Sequence, residues 1–112
     1  MDCIFCKIIN GAIPCTKVYE DEALFAFRDI QPAAPVHILL VPKRHYSSLA
    51  DLTETDAPLT ARLLLTAARI ADAEGLAADG YRVVTNIGRD GGQSVAHLHL
   101  HILGGRPLQW IH

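Results

Sequence analysis

The chain has 112 residues, with ten Lys and Arg against twelve Asp and Glu and hence a formal net charge of −2. Half of its residues are hydrophobic and a fifth are charged; this excludes intrinsic disorder, and the near-balance of charge argues against a general nucleic-acid binder. The length suits a single domain, residues 1–112, with a core that needs no disulfide staples.

In chain order, Cys3 to Asn10 is predicted as a short helix ending at Gly11. Thr16 to Glu20 and Ala23 to Phe27 read as two strands joined at Asp21-Glu22. The second of them is apolar throughout, as a strand covered on both faces would be. Gln31 to Pro35 holds two prolines and is irregular. Val36 to Val41 is a third strand, with His37 near its start as a satisfied structural residue. Asp56 caps a long helix, Pro58 falls in its first turn and Gly75 stops it. Leu59, Leu63, Ala67, Ile70 and Glu74 mark the side facing a sheet, and Arg62, Arg69 and Asp72 a solvated face. Tyr81 to Ile87 and Ala96 to Leu103 complete five strands. Their grouping, without strict alternation with helices, predicts an α+β fold with a mostly antiparallel sheet.

The last strand carries the chemistry. In Ala96-His97-Leu98-His99-Leu100-His101-Ile102-Leu103, alternate side chains share a face. His97, His99 and His101 therefore project together, and Leu98, Leu100 and Ile102 oppositely into a core. A merely exposed polar face would be served as well by Thr, Lys or Glu, and none appears. Clustered imidazoles suit metal ligation, nucleophilic attack or proton transfer. The loop before them, Asn86 to Ser94, has three glycines, an amide and a hydroxyl, a composition able to turn N–H donors toward an anion. Donors beside imidazoles match the needs of phosphoryl transfer.

Three cysteines, an odd number, do not suggest a disulfide framework. Cys3-Ile4-Phe5-Cys6 is a C-x-x-C with three readings: a redox dithiol, half of a zinc site, or coincidence. No strand precedes it, as a thioredoxin-like dithiol would require. Zinc would need two histidines more, with His45 and one of the strand histidines as candidates. Cys15 stands alone as a small, buried or partly buried residue. No stretch approaches the ~20 apolar residues of a membrane span, and Met1 to Lys7 lacks the pattern of a signal peptide. A cytoplasmic protein without membrane or nucleic-acid partners is expected.

On these residues the chain resembles the histidine triad (HIT) superfamily, whose signature His-φ-His-φ-His-φ-φ, with φ apolar, is matched by His97 to Leu103 at every position. Asp90 to Ser94 (Asp-Gly-Gly-Gln-Ser), Leu103 to Arg106 (Leu-Gly-Gly-Arg), the late Trp110, and Phe27 to Ile30 with Pro32, Pro35 and His37 resemble the nucleoside phosphoramidase branch. That branch is also called histidine-triad nucleotide-binding or protein kinase C inhibitor-like, and the likeness runs from about Ile4 to Trp110. It implies a homodimer whose subunit sheets join, and hydrolysis of purine nucleoside phosphoramidates to the nucleoside monophosphate and an amine. It makes His99 the nucleophile, His101 a partner of the phosphate and leaving group, and His97 and His37 parts of the histidine network, which displaces the structural reading of His37. Asn86, Gly92, Gln93 and Ser94 would hold phosphate and ribose, and Asp29 the ribose hydroxyls. Ile30, Phe27, Ile4, Phe5 and Ile8 would surround the base, with Trp110 also on the nucleotide. Zinc-bearing relatives imply a structural Zn²⁺ on Cys3, Cys6, His45 and His97, and no catalytic metal. Arg28, where eukaryotic members often have His, and the cysteine pair suit a bacterial member. A dinucleoside polyphosphate hydrolase of the same superfamily, a nucleotide-binding interaction module and a catalytic three-histidine metal site are the competing readings.

Overall fold

The structure, a computed structural model, describes residues 3–109. A short helix, α1 (Ile4–Ile9), precedes strands β1 (Lys17–Glu20), β2 (Leu24–Arg28) and β3 (Val36–Pro42). Two 3₁₀ turns, Leu49–Asp51 and Glu54–Asp56, lead into the long helix α2 (Ala57–Ala73), followed by β4 (Tyr81–Val84) and β5 (Leu100–Gly104). The strands form one antiparallel sheet in the order β1-β2-β3-β5-β4. This is the α+β architecture expected, with one long and one short helix. No helix among the described residues is long and apolar enough to cross a membrane.

Strand alternation divides the sheet into two faces with different tasks. Leu24 and Ala26 of β2, Ile38 and Leu40 of β3, and Leu100 and Ile102 of β5 pack with Leu63, Ala67, Ile70 and Ala71 of α2. The alternate residues Phe25, Phe27, Leu39 and Val41 form a second cluster with Phe5, Ile8 and Ile9 of α1 and with Val95. The central strands are therefore covered on both sides, as the unbroken apolar run of β2 predicts. Antiparallel register places Phe27 opposite Leu39, and Leu39 opposite His101. This row across three strands becomes one wall of the site.

The last two strands are shorter than expected. β4 stops at Val84 rather than Ile87, and β5 starts at Leu100 rather than Ala96. Between them the ladder gives way to other bonds. The Thr85 hydroxyl donates to the His99 carbonyl at 2.8 Å, and the Leu98 N–H donates to the Tyr46 carbonyl at 2.7 Å. His97 and His99 thus lie on extended chain outside the sheet proper, yet keep the alternation: Leu98 is buried in the α2-side core with Leu100 and Ile102.

Helix α2 ends as expected, with Gly75 in the left-handed region at φ +79° and the Leu76 N–H bonded to the Ala71 carbonyl at 3.0 Å. Its start differs. Asp56 holds the N-cap position, but its carboxylate turns away from the α2 amides and accepts from the Thr53 N–H (2.9 Å) and the Tyr46 hydroxyl (2.8 Å). Arg62 is not merely solvated: it reaches Asp21 at 2.7 Å and Glu22 at 2.8 Å in the turn between β1 and β2. Burial works to raise the Asp21 carboxyl. The Tyr19 hydroxyl, the Ala23 and Leu24 amides and Arg62 outweigh it and hold the group at about 2.

Leu40 is fully buried between sheet and helix. We expect Leu40→Ala to cost about 2–5 kcal/mol through lost contacts and an unfilled cavity, measured as a reduced free energy of urea unfolding. A cost under about 1 kcal/mol would show that α2 does not close on this face as described.

Candidate functional site

On the sheet face that carries α1, a cleft of about 340 Å³ opens beside the histidines. Ile4, Phe5 and Ile8 of α1 line it, with Phe27 at the end of β2 and Asp29 and Ile30 just beyond. Ser94, His99 and His101 line it as well. These nine expected positions are brought together. Ile30 is 93 % exposed at the rim.

Other lining residues were not anticipated: Ile13, Pro14, Cys15, Arg28, Gln31, Leu39 and Val95. Leu39 was discoverable, because it shares a face with His37 by alternation on one strand. Cys15 corrects an expectation, since it is exposed and borders the cleft instead of being buried. It follows a Pro and precedes β1 in a connecting segment, where no periodicity assigns a side.

The glycine loop is closed on itself. Gly92 N–H donates to the Arg89 carbonyl (3.1 Å) and Gln93 N–H to that of Gly88 (3.0 Å). The Gln93 side chain accepts from Gly88 N–H at 2.9 Å and donates to Ser47 O at 2.6 Å and Val95 O at 2.9 Å. Asn86 Nδ2 donates to the Gly91 carbonyl at 2.8 Å. Asn86, Gly92 and Gln93 therefore shape the loop and do not line the cleft, whereas Ser94 does. Trp110 lies outside the described residues.

Main-chain partners fix the imidazole tautomers. The His97 carbonyl can only accept, and His99 Nδ1 lies 2.7 Å from it; Nδ1 therefore carries the proton, and neutral His99 has a bare Nε2. The Ala33 N–H donates to His37 Nδ1 at 3.0 Å, so the proton of neutral His37 is on Nε2, 2.9 Å from His101 Nδ1. His101 accepts there and holds its own proton on Nε2. Adjacent rings, 4.9 Å apart between centroids, thus present opposite polarity: an acceptor nitrogen on His99 and a donor on His101. Asp29 Oδ2 stands 3.5 Å from His37 Nε2, and its Oδ1 accepts from the Gln31 N–H at 2.8 Å. Burial lowers the His37 pKa against the pull of Asp29. Burial first, then the neighbouring His99 and His37, push His101 down to about 4.

His97 parts company with the other two histidines. It is fully buried, and its Nε2–H donates to the Pro42 carbonyl at 2.9 Å, leaving Nδ1 bare. That nitrogen lies 3.2 Å from Cys3 Sγ, 3.6 Å from Cys6 Sγ and 3.1 Å from His45 Nδ1, and Cys6 Sγ is 3.5 Å from His45 Nδ1. All four donor atoms fall within 4.8 Å of one another. Four-coordinate zinc, with Zn–N of about 2.0–2.1 Å and Zn–S of about 2.3 Å, requires ligand separations of about 3.3–3.8 Å. The four separations of 3.1 to 3.6 Å match a tetrahedral ion to within a few tenths of an ångström. A carbonyl on the far nitrogen of a ligand histidine is the usual supporting contact. Cys3, Cys6, His45 and His97 are thus a candidate metal-binding group, and the C-x-x-C opens α1 with no strand before it among the described residues, unlike a thioredoxin-like turn.

Comparison with known proteins agrees with this geometry. The chain matches the HIT domain family over residues 10–108. It is 48% identical over 105 residues to a protein of Escherichia coli named purine nucleoside phosphoramidase, covering 94% of this chain and 88% of the relative. An uncharacterised HIT-like protein of Synechococcus elongatus is 52% identical, with 97% of this chain and 95% of that one covered. Among solved structures, a HIT family hydrolase of Legionella pneumophila superposes with a TM-score of 0.95 at 50% identity, covering 97% of each chain. A histidine triad protein of Clostridium difficile superposes equally well, at 50% identity over all of this chain and 97% of that one.

The lowered His101 pKa carries a stability consequence. An unfolded imidazole takes up its proton near pH 6.5, whereas folded His101 resists protonation to about 4. The unfolded chain therefore binds more protons between these values, and stability is full above about pH 6.5 and falls as pH drops toward 4. We expect the urea midpoint to decline across this window, and less steeply in His101→Gln. A midpoint that stays level from pH 7 to 4 would contradict a neutral His37–His101 pair.

Proposed function

The chain belongs to the HIT domain family, and on that premise we propose that it hydrolyses purine nucleoside 5′-phosphoramidates to a nucleoside monophosphate and an amine through a nucleotidyl-histidine intermediate. One observation carries this: His99 is 3 % exposed, with its Nδ1 proton held by a main-chain carbonyl and its ring on a cleft otherwise largely apolar. The E. coli relative named purine nucleoside phosphoramidase supports the substrate class.

A purine would lie between α1 and Ile30, against Ile4, Phe5, Ile8 and Phe27, and Asp29 at the rim would accept from the ribose hydroxyls. With the base so placed, the α-phosphorus comes to His99. Nε2 attacks in line, a P–N bond to His99 forms and the P–N bond to the amine breaks. The leaving nitrogen takes a proton from the His101 Nε2–H, which lies on the same cleft. His101 and Ser94 offset charge on the phosphate oxygens. Water then attacks phosphorus from the vacated side and gives up a proton that restores the His101 Nε2–H, the P–N bond to His99 breaks, and the nucleoside monophosphate leaves with His99 Nε2 bare again. His37 holds His101 in its tautomer, and Asn86, Gly92 and Gln93 hold the loop that presents Ser94.

Cys3, Cys6, His45 and His97 would hold zinc as a structural ion, four protein ligands leaving no position for water. It would secure the chain on either side of the cleft and take no part in the reaction. A homodimer with a continuous sheet is supported by β4, an edge strand whose Tyr81 and Val83 are each 38 % exposed. A cytoplasmic enzyme is in keeping with these assignments.

His99→Ala should lower kcat for adenosine 5′-phosphoramidate by at least about 10³-fold, as removal of covalent nucleophiles does elsewhere. Rapid quenching of the parent protein should yield a nucleotidyl mass on the peptide containing His99. Modification of another residue, or diadenosine tetraphosphate turned over faster than the phosphoramidate, would overturn the assignment. Purified protein should carry about one zinc per chain, lost in Cys6→Ala with a drop in melting temperature. Light scattering should give two chains per particle, and Val83→Lys one; a monomeric parent would contradict the shared sheet.

A further inference from the structure

We propose that the Cys3/Cys6/His45/His97 group and Phe5 together position the nucleophile and the cleft wall, so that metal binding and nucleotide binding are linked. The proposal rests on the zinc and nucleotide assignments above and goes beyond both. Phe5 lies between the two cysteines in sequence, and its ring stands edge-on to two histidines, 5.9 Å from His97 and 5.1 Å from His99 between centroids. It also meets Phe27 at 5.4 Å, on the floor of the cleft. One aromatic ring therefore touches the metal-binding group, the nucleophile and the surface on which a base would rest.

Two further contacts follow the same route. Helix α1 is six residues long, too short to persist through its own hydrogen bonds. It is held by apolar packing of Phe5, Ile8 and Ile9 on the sheet and by its cysteines, Cys3 at the N-cap and Cys6 in the first turn. That helix supplies Ile4, Phe5 and Ile8 to the cleft. In addition, His97 presents Nδ1 to the cysteines while its carbonyl accepts the Nδ1–H of His99. The peptide that sets the nucleophile's tautomer thus belongs to a residue of the metal-binding group. Without an ion, the four donors are joined only by contacts of 3.1 to 3.6 Å involving thiols and imidazoles, which leave α1 and the His97 peptide freer. Binding that orders a shared element couples two sites reciprocally.

The test compares AMP affinity, by calorimetry, in the zinc-loaded protein and in protein stripped by chelation. Circular dichroism checks that both are folded. Reactivity of His99 toward diethyl pyrocarbonate, located by peptide mass spectrometry, is followed in parallel without nucleotide. We expect AMP to bind at least about fivefold more weakly to the stripped protein and His99 to be modified at a changed rate. Zinc affinity should be higher by the same factor when AMP is present. In Phe5→Leu, which keeps all four metal donors, the ratio between loaded and stripped affinities should fall toward one, whatever the absolute affinity. Equal AMP affinity and equal His99 reactivity in folded loaded and stripped protein would overturn the coupling while leaving the metal site intact. Failure to take up zinc would overturn both. If AMP binds neither form, it is the nucleotide assignment that fails, and the His99 reactivity decides the coupling. Should the stripped protein unfold, a Phe5→Leu chain with an undiminished effect of AMP on zinc affinity would overturn the positioning role, and a diminished effect would support it.

Discussion

A 2.7 Å hydrogen bond from the His99 Nδ1–H to the His97 carbonyl decides the character of the cleft. A neutral imidazole has one proton, and whichever nitrogen keeps it cannot also attack. Because the acceptor is a backbone oxygen, no rotation of a neighbouring side chain can reverse the choice. A second chain of bonds, from the Ala33 amide through His37 to His101, sets the neighbouring ring the other way round. Two chemically identical side chains two residues apart thereby acquire different roles. The backbone assigns each of them.

The sheet makes this arrangement affordable by separating stability from chemistry. The face covered by α2 is apolar and fully packed, and strands β2, β3 and β5 are held from that side by Leu24, Ile38, Leu40 and Ile102. The other face need not be complete, and α1 covers only part of it. The uncovered remainder, bounded by Phe27, Leu39 and His101 across three strands, is where the cleft opens. Alternation along each strand lets one residue serve the core and the next serve the site.

That same alternation is why much of the site is legible in the sequence. The spacing of His97, His99 and His101 between Leu98, Leu100 and Ile102 predicts one polar and one apolar side whether or not the segment joins the ladder, and two of its three histidines lie outside it. The apolar run from Ala23 to Phe27 likewise predicts burial on both faces. Identical spacing could not reveal that His97 serves a different group from His99 and His101. The divergence depends on Cys3, Cys6 and His45, more than fifty residues away, and on the Pro42 carbonyl that turns the ring. The glycine loop shows the opposite limit. Its composition suggests free amide donors, but in the fold Gly88, Gly92 and Gln93 have their N–H groups occupied within the loop. Cys15 and its neighbours Ile13 and Pro14 carry no periodic signal, because an irregular segment packs where its ends require.

Ring ¹⁵N spectroscopy of the protein labelled at histidine, without ligand and near neutral pH, reports tautomers directly and tests the central claim. His99 should be protonated on Nδ1 and bare on Nε2, with His101 protonated on Nε2. A His99 signal showing the proton on Nε2 would place the lone pair against a carbonyl and leave the cleft without the nucleophile proposed for it.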